Sequence, residues 1–98
     1  MNALPVVDLS RVQPEPGNPS LRHLAQVVAA AQSRRAGLTW TTAVRCRRRP
    51  EHRACPGFIE VRRQDIPEEI QWSCPDCGDG GVARGWRAGP WRRPVMRG

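Results

Sequence analysis

A chain of 98 residues with 39% hydrophobic positions, one phenylalanine and no tyrosine suffices for one small domain with a modest apolar core. All sixteen positive side chains are arginine and the net charge is +7, so polyanions or acidic surfaces are the natural partners. No segment approaches the roughly 18 apolar residues of a membrane span, and no basic stretch leads into an N-terminal apolar run. A membrane anchor and a secretory leader are therefore not expected, and the expected compartment is the cytoplasm. The exclusive use of arginine also follows from a GC-rich codon bias, so the charge is more informative than the residue type.

Residues 1–17 hold Pro5, Pro14, Pro16 and Gly17, which predicts an extended arm. Its apolar stretch from Leu4 to Leu9 can lie against this domain or a partner, and a free arm is the expectation. Asn18-Pro19-Ser20 is a helix start, with a capping side chain and a proline suited to the first turn. Leu21, Leu24, Ala25, Val28 and Ala31 then recur at helical spacing. Arg34 and Arg35 suit a helix C-terminus and Gly37 a terminator, so the pattern predicts one amphipathic helix over 18–37, packed on a sheet. His23 falls off the apolar stripe and is expected in solvent.

From Leu38 the period changes to two. Leu38, Trp40, Thr42, Val44 and Cys46 share one face of a predicted strand that runs straight into a cysteine. Arg47 to Ala54 is a polar loop, Phe58 to Arg63 a second strand, and Asp65 to Pro67 a turn. Ile70, Trp72 and Cys74 alternate in a third strand, and Val82 to Trp86 after Asp79-Gly80-Gly81 forms an optional fourth. Residues 87–98, with Pro90, Pro94 and four arginines, are expected to be a largely disordered basic tail.

The cysteines follow the pattern Cys46-x8-Cys55-x18-Cys74-x2-Cys77. Cys74-Pro75-Asp76-Cys77-Gly78 is a metal knuckle, because a tight turn points both sulfurs at one ion and Gly78 accepts the positive φ the turn needs. In a reducing compartment thiolates bind metal more often than they pair, so one Zn2+ held by Cys46, Cys55, Cys74 and Cys77 is the expected cofactor. Disulfides, with three possible pairings, are the alternative. The first pair is wider than the usual gap, and His52, three residues before Cys55, is a rival to Cys46. Strand parity favours Cys46.

Known zinc chemistries are poorly matched. No glutamate stands where a deaminase needs one, and two histidines cannot make a metalloprotease His-Glu-x-x-His motif. Four thiolates leave no metal-bound water to activate. A redox Cys-x-x-Cys normally opens a helix, which Gly78-Asp79-Gly80-Gly81 opposes. No enzymatic activity and no small-molecule substrate are expected.

Strands that end in two cysteine knuckles resemble a zinc ribbon. More narrowly, Cys55-Pro56-Gly57, Glu60 to Arg63, Ile70, Trp72, Cys74 to Asp79 and Gly85-Trp86 resemble small bacterial zinc-ribbon-like proteins of no assigned role, across residues 44–91. The resemblance implies the ribbon fold and no activity. Together with the periodicity, it yields an expected α+β fold: a zinc-stabilised domain with one N-terminal amphipathic helix and a three- to four-stranded antiparallel ribbon over 38–86.

Arg45, Arg47, Arg48, Arg49 and Arg53 surround the first ligand pair, and Arg62 and Arg63 follow on the next strand. A metal that pins both ends of such a loop would hold its charges beside a phosphate backbone, so these arginines are the candidate nucleic-acid contacts, within an accessory subunit of a larger complex. Trp86 and Trp91 are candidates for base stacking or partner contact, whereas Trp40 and Trp72 are expected in the core. The competing expectation is a protein-interaction module. It would use the arm, the helix and the Trp-containing C-terminal segment, with the acidic stretch 64–79 orienting a basic partner.

Overall fold

In the computed structural model, residues 5–15, 17–49, 52–87 and 89–91 are described. Asn18 caps helix α1 (Pro19–Ala31), its side-chain oxygen accepting from the N–H groups of Ser20 at 3.0 Å and Leu21 at 3.2 Å. The helix ends at Ala31, with its apolar stripe and short of the residue 37 that Arg34, Arg35 and Gly37 predict, and side chains take its last carbonyls. The Ser33 hydroxyl donates to Ala30 at 2.7 Å, the Gln32 amide to Val28 at 3.3 Å and Arg63 to Ala31 at 3.5 Å. The chain then turns through Gly37, at φ +92, into the sheet.

The sheet comprises β1 (Val6–Asp8), β2 (Thr39–Arg45), β3 (Phe58–Asp65), β4 (Glu68–Ser73) and β5 (Gly80–Arg84). Its order is β1-β5-β4-β3-β2. Strands β2 to β5 are antiparallel neighbours, while β1 pairs parallel to β5, with Val6, Val7 and Asp8 opposite Val82, Ala83 and Arg84. This corrects the expected ribbon: the sheet is mixed and five-stranded, because the segment read as a free arm supplies an edge strand.

Three features stitch that segment down. The Val82 N–H donates to the Pro5 carbonyl at 2.8 Å. Asp8 accepts from the Ser10 N–H at 3.0 Å and its hydroxyl at 2.6 Å, turning the chain into a 3-10 turn at Leu9–Arg11 that buries Leu9. The Trp91 indole N–H donates to the Val12 carbonyl at 2.6 Å. Of the predicted arm, residues 1–4 and 16 lie outside the described residues, as do loop residues 50 and 51 and tail residues 88 and 92–98.

One face of the sheet is covered by α1. Leu24, Val27, Val28 and Ala31 pack with Ile59, Val61, Ile70 and Ala83 in one buried cluster, with Trp40 and Trp72 half-buried against it. Strand alternation sends Glu60, Arg62, Gln71 and Ser73 to the other face, which no element covers among the described residues. No described helix is long and apolar enough to cross a membrane.

Candidate metal centre

Both ligand-bearing hairpin mouths open at the same end of the sheet, since β3 begins and β4 ends there. Cys46 directly follows β2 and Cys55 precedes β3 by three residues. The Cys46 N–H donates to the Gly57 carbonyl and the Cys55 N–H to the Arg48 carbonyl, both at 2.9 Å. These two bonds close the neck of the loop, which is how an eight-residue gap brings its two cysteines together. The loop turns at His52, whose N–H donates to the Arg49 carbonyl at 3.0 Å with φ +67. The β4–β5 mouth is closed by the Cys74 N–H donating to Asp79 at 2.7 Å and the Gly78 N–H to Cys74 at 2.8 Å. Gly78 adopts the positive φ, +79, that the knuckle requires.

The four sulfurs all lie within 4.8 Å of one another. Cys46 and Cys77 approach to 3.6 Å, as do Cys55 and Cys74, and all four are free thiols. A disulfide requires about 2.05 Å. The edge of a tetrahedron with metal–sulfur bonds of about 2.3 Å is about 3.8 Å, so these separations fit one four-coordinate ion. His52 is exposed and does not belong to the cluster.

Backbone N–H groups point at the sulfurs, as thiolate ligands need. Arg48 donates to Cys46 and Gly57 to Cys55, each at 3.5 Å, and Asp76 and Cys77 donate to Cys74. Cys46, Cys55 and Cys74 are buried, whereas Cys77 is exposed. Burial pushes the Cys46 thiol up to about 12, despite the Arg48 N–H. Burial also acts to raise Cys74, but the N–H groups of Cys77 and Asp76, together with hydrogen bonds to the Cys55 and Cys77 sulfurs, hold that thiol below its ordinary value. Several thiolates this close together need a cation between them.

Two supports were not evident in the sequence reading. Gly57 lies against Cys74, where a Cβ would come within 2.6 Å of its sulfur and 2.8 Å of Asp76 Oδ2. The tripeptide Cys55-Pro56-Gly57 carried that signal. His23, expected in solvent, is half-buried, its Nε2 3.0 Å from the carbonyl of Arg45 beside the first ligand. Its pKa is lowered, chiefly by burial. No sequence periodicity announces that contact, because it joins the helix to an irregular strand end.

No protein-family model, curated protein or solved structure matches this chain.

The candidate contact residues divide sharply. Arg47, Arg49 and Arg53 are exposed on the loop, with no ion pair to an acid among the described residues; Arg49 donates to the His52 carbonyl at 3.3 Å. Arg48 reaches Asp79 across the two mouths at 3.7 Å, and Arg45 lies over the Phe58 ring at 5.2 Å. Arg62 stands on the open face. Arg63 faces the helix instead, bound to Ala31 and, at 3.1 Å, to Asp65, so it is a structural residue.

Trp86 and Trp91 are core residues, 3% and 4% exposed, which removes them as stacking platforms. Both belong to the buried cluster that includes the α1 residues, and the Gln32 side chain donates to the Trp91 carbonyl at 3.2 Å. Nor does the acidic stretch offer a free patch for a basic partner. Glu68 and Asp65 both pair with Arg87 at 3.0 Å, and Glu69 pairs with Arg84 at the same distance.

Proposed function

We propose that this protein is a non-catalytic, zinc-stabilised module that binds nucleic acid through the arginine loop between Cys46 and Cys55, as an accessory subunit of a larger complex. The observation that carries this reading is the attachment of the loop. Both ends are cysteines of one four-sulfur cluster, and Arg47, Arg49 and Arg53 project beyond the neck with no acidic partner among the described residues. Zinc is the metal of choice because an all-sulfur tetrahedral donor set suits it and leaves no open coordination position. When bound, the ion acts as a structural cross-link between the two mouths. Guanidinium groups held on a pinned loop lose less entropy on meeting phosphates than groups on a free tail.

Binding of single- and double-stranded DNA and RNA, measured from about 50 to 200 mM salt, tests the reading. Replacing Arg47, Arg49 and Arg53 by alanine is expected to weaken binding at every sequence and lower the salt slope by about 2–3. Absence of binding at low salt, or binding unchanged in the triple variant, would exclude it.

A second reading rests on the β2 edge of the sheet. Among the described residues, strand β2 (Thr39–Arg45) pairs only with β3, and it holds no proline, so a partner's strand can add to it. It would replace the expected use of the arm, helix and C-terminal tryptophans, which the fold occupies internally. A stoichiometric protein partner that survives nuclease and high salt would favour this reading over nucleic acid.

A further inference from the structure

All five aromatic side chains of the chain lie among the described residues, and four of them serve the helix-covered face: Trp86 and Trp91 are buried, and Trp40 and Trp72 are half-buried. The fifth, Phe58, is 39% exposed on the open face. It opens β3 only three residues after Cys55 and sits directly opposite Arg45 on β2. The Arg45 guanidinium lies 5.2 Å from the ring centroid. A large apolar ring is thus left in water beside the metal-pinned loop that carries Arg47, Arg49 and Arg53.

Beyond Phe58, the open face continues as a shallow groove of about 140 Å³, lined by Val61 and Trp72 as well as by the polar Thr39, Glu60, Arg62, Gln71 and Ser73. Its walls offer donors and acceptors of the kind that meet base edges. Arg62 stands four residues along β3 from Phe58, about 13 Å away at strand rise. Glu60 lies between them and would repel a phosphate, but it can accept from a base amino group.

We propose that Phe58 and Arg45 form a stacking platform for an unpaired base, which makes single-stranded nucleic acid the preferred ligand of this surface. The inference rests on the nucleic-acid reading above and names the ligand class for it. Loop arginines hold the backbone while the strand lays successive bases over Phe58 and the groove beside it. Duplex keeps its bases stacked internally, so it meets the loop arginines and leaves the ring unused.

The test compares a 12-nucleotide oligothymidylate with a 12-base-pair duplex at about 50 mM salt, by fluorescence anisotropy of labelled nucleic acid. The wild-type protein is expected to prefer the single strand by about tenfold or more. Phe58→Ala should weaken single-strand binding by about 5- to 100-fold, the loss of one stacked base, with duplex affinity and salt slope unchanged. Phe58→Trp should restore it. Phe58→Leu keeps apolar bulk and folding while removing the aromatic face, so it should resemble the alanine variant and stands in for it if that variant unfolds. Equal wild-type affinity for both ligands, or single-strand binding retained in Phe58→Leu, overturns the platform while the phosphate-contact reading stands. If the wild-type protein binds neither ligand, both fall.

Discussion

The β4–β5 mouth places two sulfurs with only two residues between them, whereas the β2–β3 mouth sets eight residues between its pair. In the short mouth the turn itself aims the ligands: Gly78 takes a positive φ and the Asp76 and Cys77 N–H groups face Cys74. In the long mouth the neck does this work, through Cys46 bonded to Gly57 and Cys55 to Arg48. The extra residues are then free to hold something out, and four of the eight are arginine. Cysteine spacing alone therefore separates a turn that would only fix an ion from a loop that an ion would also fix.

If the two mouths act as one donor set, losing a sulfur from either should have the same large effect. Cys74→Ser and Cys46→Ser are each expected to abolish stoichiometric metal binding in elemental analysis. Each should also lower the thermal midpoint by more than about 15 °C, as a structural zinc contributes more than the net stability of many small domains. His52→Ala should keep full metal content and stability. Retention of metal by Cys46→Ser together with its loss from His52→Ala would break the comparison, making the long mouth a Cys-His pair.

Gly57 sharpens the comparison, because there the long mouth touches the short one. A Cβ at Gly57 meets Cys74 Sγ at 2.6 Å, while one at Gly78 meets nothing within 4 Å and suffers only its positive φ. Gly57→Ala is expected to cost about 1–3 kcal/mol in denaturant titration and to weaken metal retention against a chelator. Gly78→Ala should cost about 1–2 kcal/mol through backbone strain. If Gly57→Ala keeps full metal retention, the contact between the mouths is dispensable.

Much of this site could be read in the sequence because it obeys local rules. Strand parity carried Cys46 to the cluster, and the Cys-x-x-Cys-Gly spacing announced the turn at Gly78. Asn18 and Pro19 likewise announced the helix start. The misread parts depend on contacts between segments distant in sequence. Val6–Asp8 looks like a loose apolar arm until β5 offers it an edge, and Trp91 looks like a tail residue until Val12 accepts its indole N–H. Arg63 is indistinguishable from Arg62 by composition, yet alternation turns one to the helix and the other to solvent. Phe58 does not stand out in the sequence because its significance lies in being the exposed ring, a property that burial or half-burial of the four tryptophans creates.

Beyond its knuckle, the β4–β5 hairpin is clamped by Glu69, which the β2–β3 hairpin has no counterpart for among the described ion pairs. Hydrogen bonds from Gln71 and Arg84 hold its carboxyl below the usual carboxylate range. A lowered folded-state pKa means that the folded chain binds fewer protons, so this stabilisation is complete above the unfolded-state value. It is lost as pH falls through the folded-state value. Wild type should therefore lose up to about 1 kcal/mol relative to Glu69→Gln between about pH 5 and pH 3. Release of a bound metal in acid would affect both proteins and cancel in the difference. A difference independent of pH would deny the clamp its charge.

The smallest effect is expected where charge joins the two mouths. Arg48 and Asp79 approach to 3.7 Å, with side chains 61% and 25% exposed. Such a pair in water contributes under about 0.5 kcal/mol, because solvent and salt screen it and both side chains lose freedom. A double-mutant cycle of Arg48→Ala and Asp79→Ala, read by denaturant titration with metal bound, should show coupling near that size that vanishes at about 0.5 M salt. The Asp79 carbonyl still receives the Cys74 N–H in both variants, so the knuckle persists. Coupling above about 1 kcal/mol would mean that the arginine loop is held by its charge as well as by its sulfurs. Polyanion binding at Arg48 would then compete with the link between the mouths and loosen the metal end.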